Sequence, residues 1–376
     1  MRSPNGAAVA AATVLGVGTA AVVAGRYASG VALSPYPRRP LPGEPRLTVH
    51  AVGSDRVVLT RALPSLRPGV YGLEGPGLHA VVGPVLDEVP HAPDTVVRRL
   101  ERLDYGALEP GTRVRLTPRI HSGTPASALG VRYEDVEVAG ESGPLPAWYV
   151  PAVRTTWVIT VHGLGATREH PLNLLDFLAG RLRFPVLDLA YRGDPGAPRP
   201  ADGLGHLGDS EWRDLDAAVH PAVRHGADRI VLHGWSTGAA MALRTAARSR
   251  LRHRITGLVL DSPVLDWEAT LRALAAARRV PSVLLPLAVR AAQGRTGLGD
   301  EGPGGAADPG ALRVPALVFH GPHDTVAPWA ATRAFADRRP DLVTLRTVRH
   351  APHAAMWNAD PRWYEEAMRR FLTPLL

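Results

Sequence analysis

From Val131 to the C-terminus, short apolar runs alternate with amphipathic helical patterns, and this alternation restricts the fold more than any other feature of the chain. The apolar runs are Trp157–Val161, Val186–Leu189, Ile230–His233, Leu258–Leu260, Ala316–Phe319 and Val343–Val348. Between them, Pro171–Leu182, Glu211–His225, Thr237–Ser249 and Pro361–Leu372 carry helical periodicity. Strands interleaved with amphipathic helices predict an α/β fold, a mostly parallel central sheet flanked by helices. Right-handed crossovers then gather the loops at the carboxyl ends of the strands, where ligands bind. Val131–Val138 and Leu145–Val150 are expected to add an antiparallel start to the sheet. The alternation is interrupted at about 266–314 by an Ala/Arg/Leu-rich helical stretch and a Gly-rich segment. That interruption reads as a cap-like insertion over the pocket, with a mobile surface loop as the alternative.

The N-terminal third differs. Ala7 to Gly25 holds no charged residue and is about as long as a bilayer-spanning helix. Residues 1–30 are therefore expected to form a transmembrane anchor or signal segment. A single-pass membrane location is favoured, with secretion after signal cleavage near Val22 and Ala24 as the alternative. Residues 31–46 read as a Pro/Arg-rich linker (Pro35, Pro37, Pro40, Pro42, Pro45) that cannot continue a helix. Residues 47–127 alternate apolar runs with Pro-Gly turns and predict a small β-rich module. Val96 to Leu103 fits either a strand or a short helix. The remaining 128–376 form the α/β domain.

Composition narrows the function classes. The chain has no cysteine, which excludes disulfide scaffolds and thiolate chemistry. Its net charge of +8 comes wholly from arginine, in isolated pairs such as Arg98-Arg99 rather than blocks. With no zinc-finger spacing and no RNA-binding signature, nucleic acid is not an expected partner. Gly16-Val17-Gly18 imitates a dinucleotide fingerprint but follows no strand, so no cofactor is expected.

The chemistry concentrates on Gly234-Trp235-Ser236-Thr237-Gly238, between the run ending at His233 and the helical pattern from Thr237. A serine on such a tight strand-to-helix turn needs small residues two positions either side, which Gly234 and Gly238 supply. The helix N-terminus favours negative charge developing there. His162-Gly163-Leu164-Gly165 follows another strand, and the N–H groups of Leu164 and Thr237 are the expected oxyanion donors. His162 itself reads as a packing or hydrogen-bonding residue. A serine needs a base and an orienting acid to be nucleophilic at neutral pH. Asp324, after the strand ending Phe319-His320, is the expected acid, with Asp261 as rival. His353 is the expected base, with His350 as rival. His320, His323, His350 and His353 also suggest a metal site, but no zinc-type spacing or carboxylate cluster accompanies them, so no metal is expected.

These motifs, in this order, resemble the α/β-hydrolase superfamily over about Val131 to the C-terminus. Tyr191-Arg192-Gly193-Asp194 and Glu211-Trp212-Arg213-Asp214 resemble its prolyl-oligopeptidase-like and serine-aminopeptidase-like branches, although a turn and a helix start also explain them. The resemblance implies a serine hydrolase acting on a small-molecule acyl substrate. A carboxylic ester is expected, with thioester or amide as further options. An acyltransferase using Ser236, or a non-catalytic binding protein of the same fold, are the alternatives. Oligomeric state and acyl chain length have no sequence signature.

Overall fold

The computed structural model describes residues 20–35, 45–297, 306 and 308–375. A helix, α1, is described over residues 20–33. Six strands follow: β1 (Leu47–Val52), β2 (Arg56–Thr60), β3 (Tyr71–Gly75), β4 (Leu78–Val85), β5 (Thr95–Tyr105) and β6 (Arg113–Thr117). They pair antiparallel in the order β1-β2-β5-β4-β3-β6 and close into a barrel, which leaves no open edge. Alternate residues fill its interior, among them Leu47, Val49, Val57, Leu59, Leu73 and Val82. The segment Val96–Leu103 is thus strand. Its Arg98 is fully buried, and its guanidinium donates to the carbonyls of Ser65, Arg67, Gly69 and Gly83. Burial pushes Arg98 down to about 10, so it stays charged at neutral pH.

A short helix, α2 (Pro125–Leu129), begins at Thr124, whose hydroxyl accepts the Ser127 N–H. The second sheet then forms from β7 (Glu134–Gly140), β8 (Gly143–Val150), β9 (Thr156–Val161), β10 (Val186–Leu189), β11 (Arg229–Trp235), β12 (Ile255–Asp261), β13 (Ala316–His320) and β14 (Val343–Thr347). Its order is β14-β13-β12-β11-β9-β10-β8-β7. Strands β9 to β14 pair parallel, while β7 and β8 form the expected antiparallel start. Every residue of β9, β10 and β13 is buried, as strands covered on both faces require. The pleat sorts them: Trp157, Ile159 and Val161 enter one apolar layer and Val158 the other.

The helices of this half are α3 (Leu172–Leu175), α4 (Trp212–Arg224), α5 (Thr237–Arg248), α6 (Trp267–Ala277), α7 (Leu285–Thr296), α8 (Trp329–Arg338), α9 (Met356–Ala359) and α10 (Pro361–Leu372). The helical pattern at Pro171–Leu182 is only partly α: after α3 the chain widens into a π turn over Asp176–Arg181, where the Leu182 N–H reaches the Phe177 carbonyl. Successive strands β9 and β10 run one way across the sheet, and β11 returns to the other side of β9. Ser236 and His162 flank this reversal, the position at which open α/β sheets bind ligands.

Two N-terminal expectations change. Most of the uncharged run, through residue 19, lies outside the described residues. Its last part, residues 20–25, belongs to α1, which packs on the half built around the second sheet instead of standing apart. Ala28, Ala32 and Leu33 are buried in the main apolar layer, and the Gly205 N–H donates to the Leu33 carbonyl at 2.8 Å. Gly25 sits so close to α7 that an added Cβ would lie 2.6 Å from the Leu287 carbonyl oxygen. Among the described residues no helix is long and apolar enough to cross a membrane. The linker reading also shifts, because residues 31–33 continue α1, and 36–44 lie outside the described residues.

The insertion at 266–314 is represented by α6 and α7. Both pack into the main layer through Leu271, Leu274, Ala288 and Ala292. Gly297, at φ +69°, terminates α7; residues 298–305 of the Gly-rich segment lie outside the described residues.

The barrel is joined to the sheet half beside the chain leaving β14. Asn358 Nδ2 donates to the carbonyls of Val70 (2.9 Å) and Pro118 (2.8 Å), and its own carbonyl accepts the Val70 N–H. Ala355 contributes directly to the barrel's apolar cluster.

Candidate active site

Ser236 joins β11 to α5 at φ +55° and ψ −116°, a conformation that L residues rarely hold. The turn survives because its neighbours are small. An added Cβ would lie 2.3 Å from the Gly238 carbonyl oxygen at Gly234, and 2.3 Å from the Val161 carbonyl oxygen at Gly238. At Gly163 it would lie 2.7 Å from the Ser236 Cβ. The Ser236 N–H donates to the Asp261 carbonyl at 2.8 Å, which ties the turn to the end of β12.

The Ser236 hydroxyl lies 2.7 Å from His353 Nε2, and His353 Nδ1 lies 2.7 Å from Asp324 Oδ2. This order calls for the tautomer with hydrogen on Nδ1, leaving Nε2 to accept from the serine. Asp324 has no exposed side-chain surface. Its Oδ1 accepts the N–H groups of Val326 (2.8 Å) and Ala327 (2.9 Å), and its Oδ2 also accepts from His320 Nε2 (2.9 Å). Burial alone would raise this carboxyl. The charge of His353 and the hydrogen bonds from His320 and His353 outweigh it, holding Asp324 well below the usual carboxylate range.

The structure brings Ser236, Asp324 and His353 together and leaves the rivals aside. His350, at φ +65°, is exposed; it stacks on His323 with ring centroids 4.9 Å apart and accepts no contact from Ser236. Asp261 is fully buried beneath the turn, with the Ser262 hydroxyl donating to its Oδ1 at 2.9 Å. Burial pushes it up to about 7. The same Ser262 oxygen accepts the Ala354 N–H at 3.0 Å, so the Asp261 end of β12 supports the backbone next to His353.

The expected oxyanion donors differ from each other. Thr237 opens α5, and a first-turn N–H has no acceptor within its own helix. The Leu164 N–H is already engaged, donating to the Thr237 hydroxyl at 2.8 Å. The reason is local: Thr237 carries its Oγ1 across the gap between the two turns, and a buried N–H takes the nearest acceptor.

His162 is buried, bonded to Asp194 Oδ2 (2.9 Å) and stacked on Tyr191 at 4.8 Å. Burial lowers its proton affinity, and the Asp194 charge and hydrogen bond more than restore it, for a net upward shift. The Tyr191–Asp194 and Glu211–Asp214 motifs interlock: Arg192 donates to both carboxylate oxygens of Asp214, at 2.8 and 2.6 Å. Both therefore have structural work next to the site. Among the described residues no group of three or more His, Asp or Glu is arranged to hold a metal ion.

Sequence reading missed the second partner of Asp324. His320, considered only as a metal ligand, is buried between Asp324 and Thr332, whose hydroxyl lies 2.8 Å from its Nδ1. Its signal was the spacing His320-Gly-Pro-His-Asp324, which returns the chain onto the end of its own strand.

Residues 158–375 match the alpha/beta hydrolase family, and residues 48–117 match a domain of unknown function, DUF8805. No curated protein matches the chain. Among solved structures it is similar to an esterase of Pyrococcus furiosus. That match has 24% identity over 67% of this chain and 94% of the other, with a TM-score of 0.55. A second crystal form of the same esterase gives 22% identity over the same shares and a TM-score of 0.53. At these identities the likeness is one of fold.

Proposed function

Because this chain belongs to the α/β-hydrolase family, we propose that it is a serine hydrolase cleaving carboxylic esters through an acyl-enzyme intermediate. The observation that carries this reading is the unbroken line from the Ser236 hydroxyl through His353 to a buried, ionised Asp324. His353 Nε2 takes the Ser236 proton as the serine oxygen attacks the ester carbonyl carbon. The negative charge then rests on the carbonyl oxygen, opposite the N-terminus of α5. The Thr237 N–H meets it directly; the Leu164 N–H meets it once the Thr237 hydroxyl turns aside. Collapse breaks the ester C–O bond, and the departing alcohol takes the proton from His353. Water repeats the sequence on the acyl-enzyme and regenerates Ser236.

Ester is the substrate class carried forward, because an alkoxide leaves with less assistance than an amine and the similar Pyrococcus furiosus protein is an esterase. The test is a panel of 4-nitrophenyl acyl esters of increasing chain length, run with the matching anilides and with Ser236→Ala. Ester turnover that disappears in Ser236→Ala is expected. Turnover that survives the substitution contradicts the reading, and acyl transfer to an added alcohol would reassign it to an acyltransferase.

We also propose that residues upstream of α1 attach the enzyme to a membrane. The uncharged Ala7–Gly25 run supports this, and so do the exposed side chains of Val22, Val23 and Tyr27, which flank Arg26 on α1.

A further inference from the structure

An open cleft of about 330 Å³ lies at the carboxyl edge of the sheet, outside the Ser236–His353–Asp324 line. Thr124, Trp148, Arg168, Glu169 and Asp194 are on its walls, with Ala190 at the end of β10. Only β9 separates β10 from β11, so at ~4.8 Å per strand the cleft is on the order of 10 Å from Ser236. That is a reach for the far end of a bound ester.

Arg168 is the unusual wall residue. Its guanidinium carbon lies over Trp148, 4.2 Å from the ring centroid, a cation–π contact. Among the described residues, its buried Nη1 has no hydrogen-bond partner. A guanidinium normally fills its donors with carboxylate or phosphate oxygens. Its acidic neighbours have other partners. Glu169 is paired with Arg119 and accepts the Gly123 N–H at 2.6 Å. Asp194 Oδ2 holds His162 and the Tyr191 N–H. Asp188, paired across the sheet with Trp148, accepts from the Thr160 hydroxyl; burial pushes it up to about 8 against the lowering charges of His162 and Arg168. One nitrogen of this cation is therefore buried at the cleft with no acceptor.

We propose that this cleft receives an oxyanion, a carboxylate or phosphate, borne by the ester substrate, with Arg168 as its ligand. The assignment to a substrate rests on the hydrolase reading above; the anion site itself does not. Two measurements on the full chain keep them apart. In the first, kcat/KM is compared within isosteric pairs: 4-nitrophenyl hemiglutarate against the neutral glutaramate for the acyl side, and 4-carboxyphenyl acetate against 4-carbamoylphenyl acetate for the alcohol side. At least one pair is expected to favour the anion by about tenfold or more, and Arg168→Gln should bring that ratio near one. In the second, inorganic phosphate and succinate are titrated into Ser236→Ala by calorimetry, which needs no turnover. Binding that is lost on adding Arg168→Gln supports the site even if no ester is cleaved. A ratio near one for both pairs with no binding of either anion overturns the proposal, as does a preference that Arg168→Gln leaves intact. Binding without any rate preference overturns the assignment to substrate.

Discussion

Asp324 accepts hydrogen bonds from two histidines at one oxygen, and only one of them, His353, touches Ser236. His320 is a positioning residue: by occupying the other lone pair of Oδ2 it fixes the direction from which Asp324 meets His353. Replacing His320 with Ala should lower kcat roughly tenfold while leaving KM nearly unchanged. His320→Gln, which keeps a donor, should recover most of kcat. A purely structural residue would lower stability without that rescue. A second residue-scale prediction concerns stability. The folded pKa of Asp188 is raised to about 8 by burial, so the folded state holds its proton where the unfolded state has lost it. Stability should fall as pH rises from the ordinary carboxylate range through about 8. Asp188→Asn should raise Tm at pH 8 by more than at pH 5, in thermal melts at both pH values. At this scale the convergence of Ser236, Asp324 and His353 was legible, because each lies in the connection from a strand to the next helix and the order of the motifs is informative. The hydroxyl of Thr237 on the Leu164 N–H was not, because it depends on one side-chain rotamer.

Among the elements, the parallel strands were readable because burial on both faces forces continuous apolar runs, as in Thr156–Val161 and Ala316–His320. The closure of the barrel was not readable. It depends on β1 pairing with β6, Leu47 opposite Val114, and no local pattern encodes so distant a register. Nor does any pattern announce that the barrel braces the chain after His353. Asn358 sits five residues beyond that histidine and hydrogen-bonds across to Val70 and Pro118. Asn358→Ala leaves both carbonyls without this donor and should cost about 1–3 kcal/mol in a denaturant titration. It should also lower kcat more than KM, since the histidine loop loses a support while the cleft walls are untouched. An unchanged kcat would separate the barrel from the site.

For the whole molecule, α1 packs against α7 with Gly25 beside Leu287, so the proposed attachment would join the enzyme on that side. Expressed full-length, the protein should sediment with membranes and resist carbonate extraction, while a chain starting at residue 20 should remain in the supernatant and keep its ester activity. Full-length protein in the supernatant would contradict the attachment. The strained Ser236 turn, the ionised Asp324 and the braced His353 loop all meet at the proposed nucleophile, and labelling with a fluorophosphonate probe tests that proposal most directly. A single adduct located on Ser236 by mass spectrometry, absent from a folded Ser236→Ala variant, is the predicted result; no adduct on the native protein, or one that persists in Ser236→Ala, would contradict it.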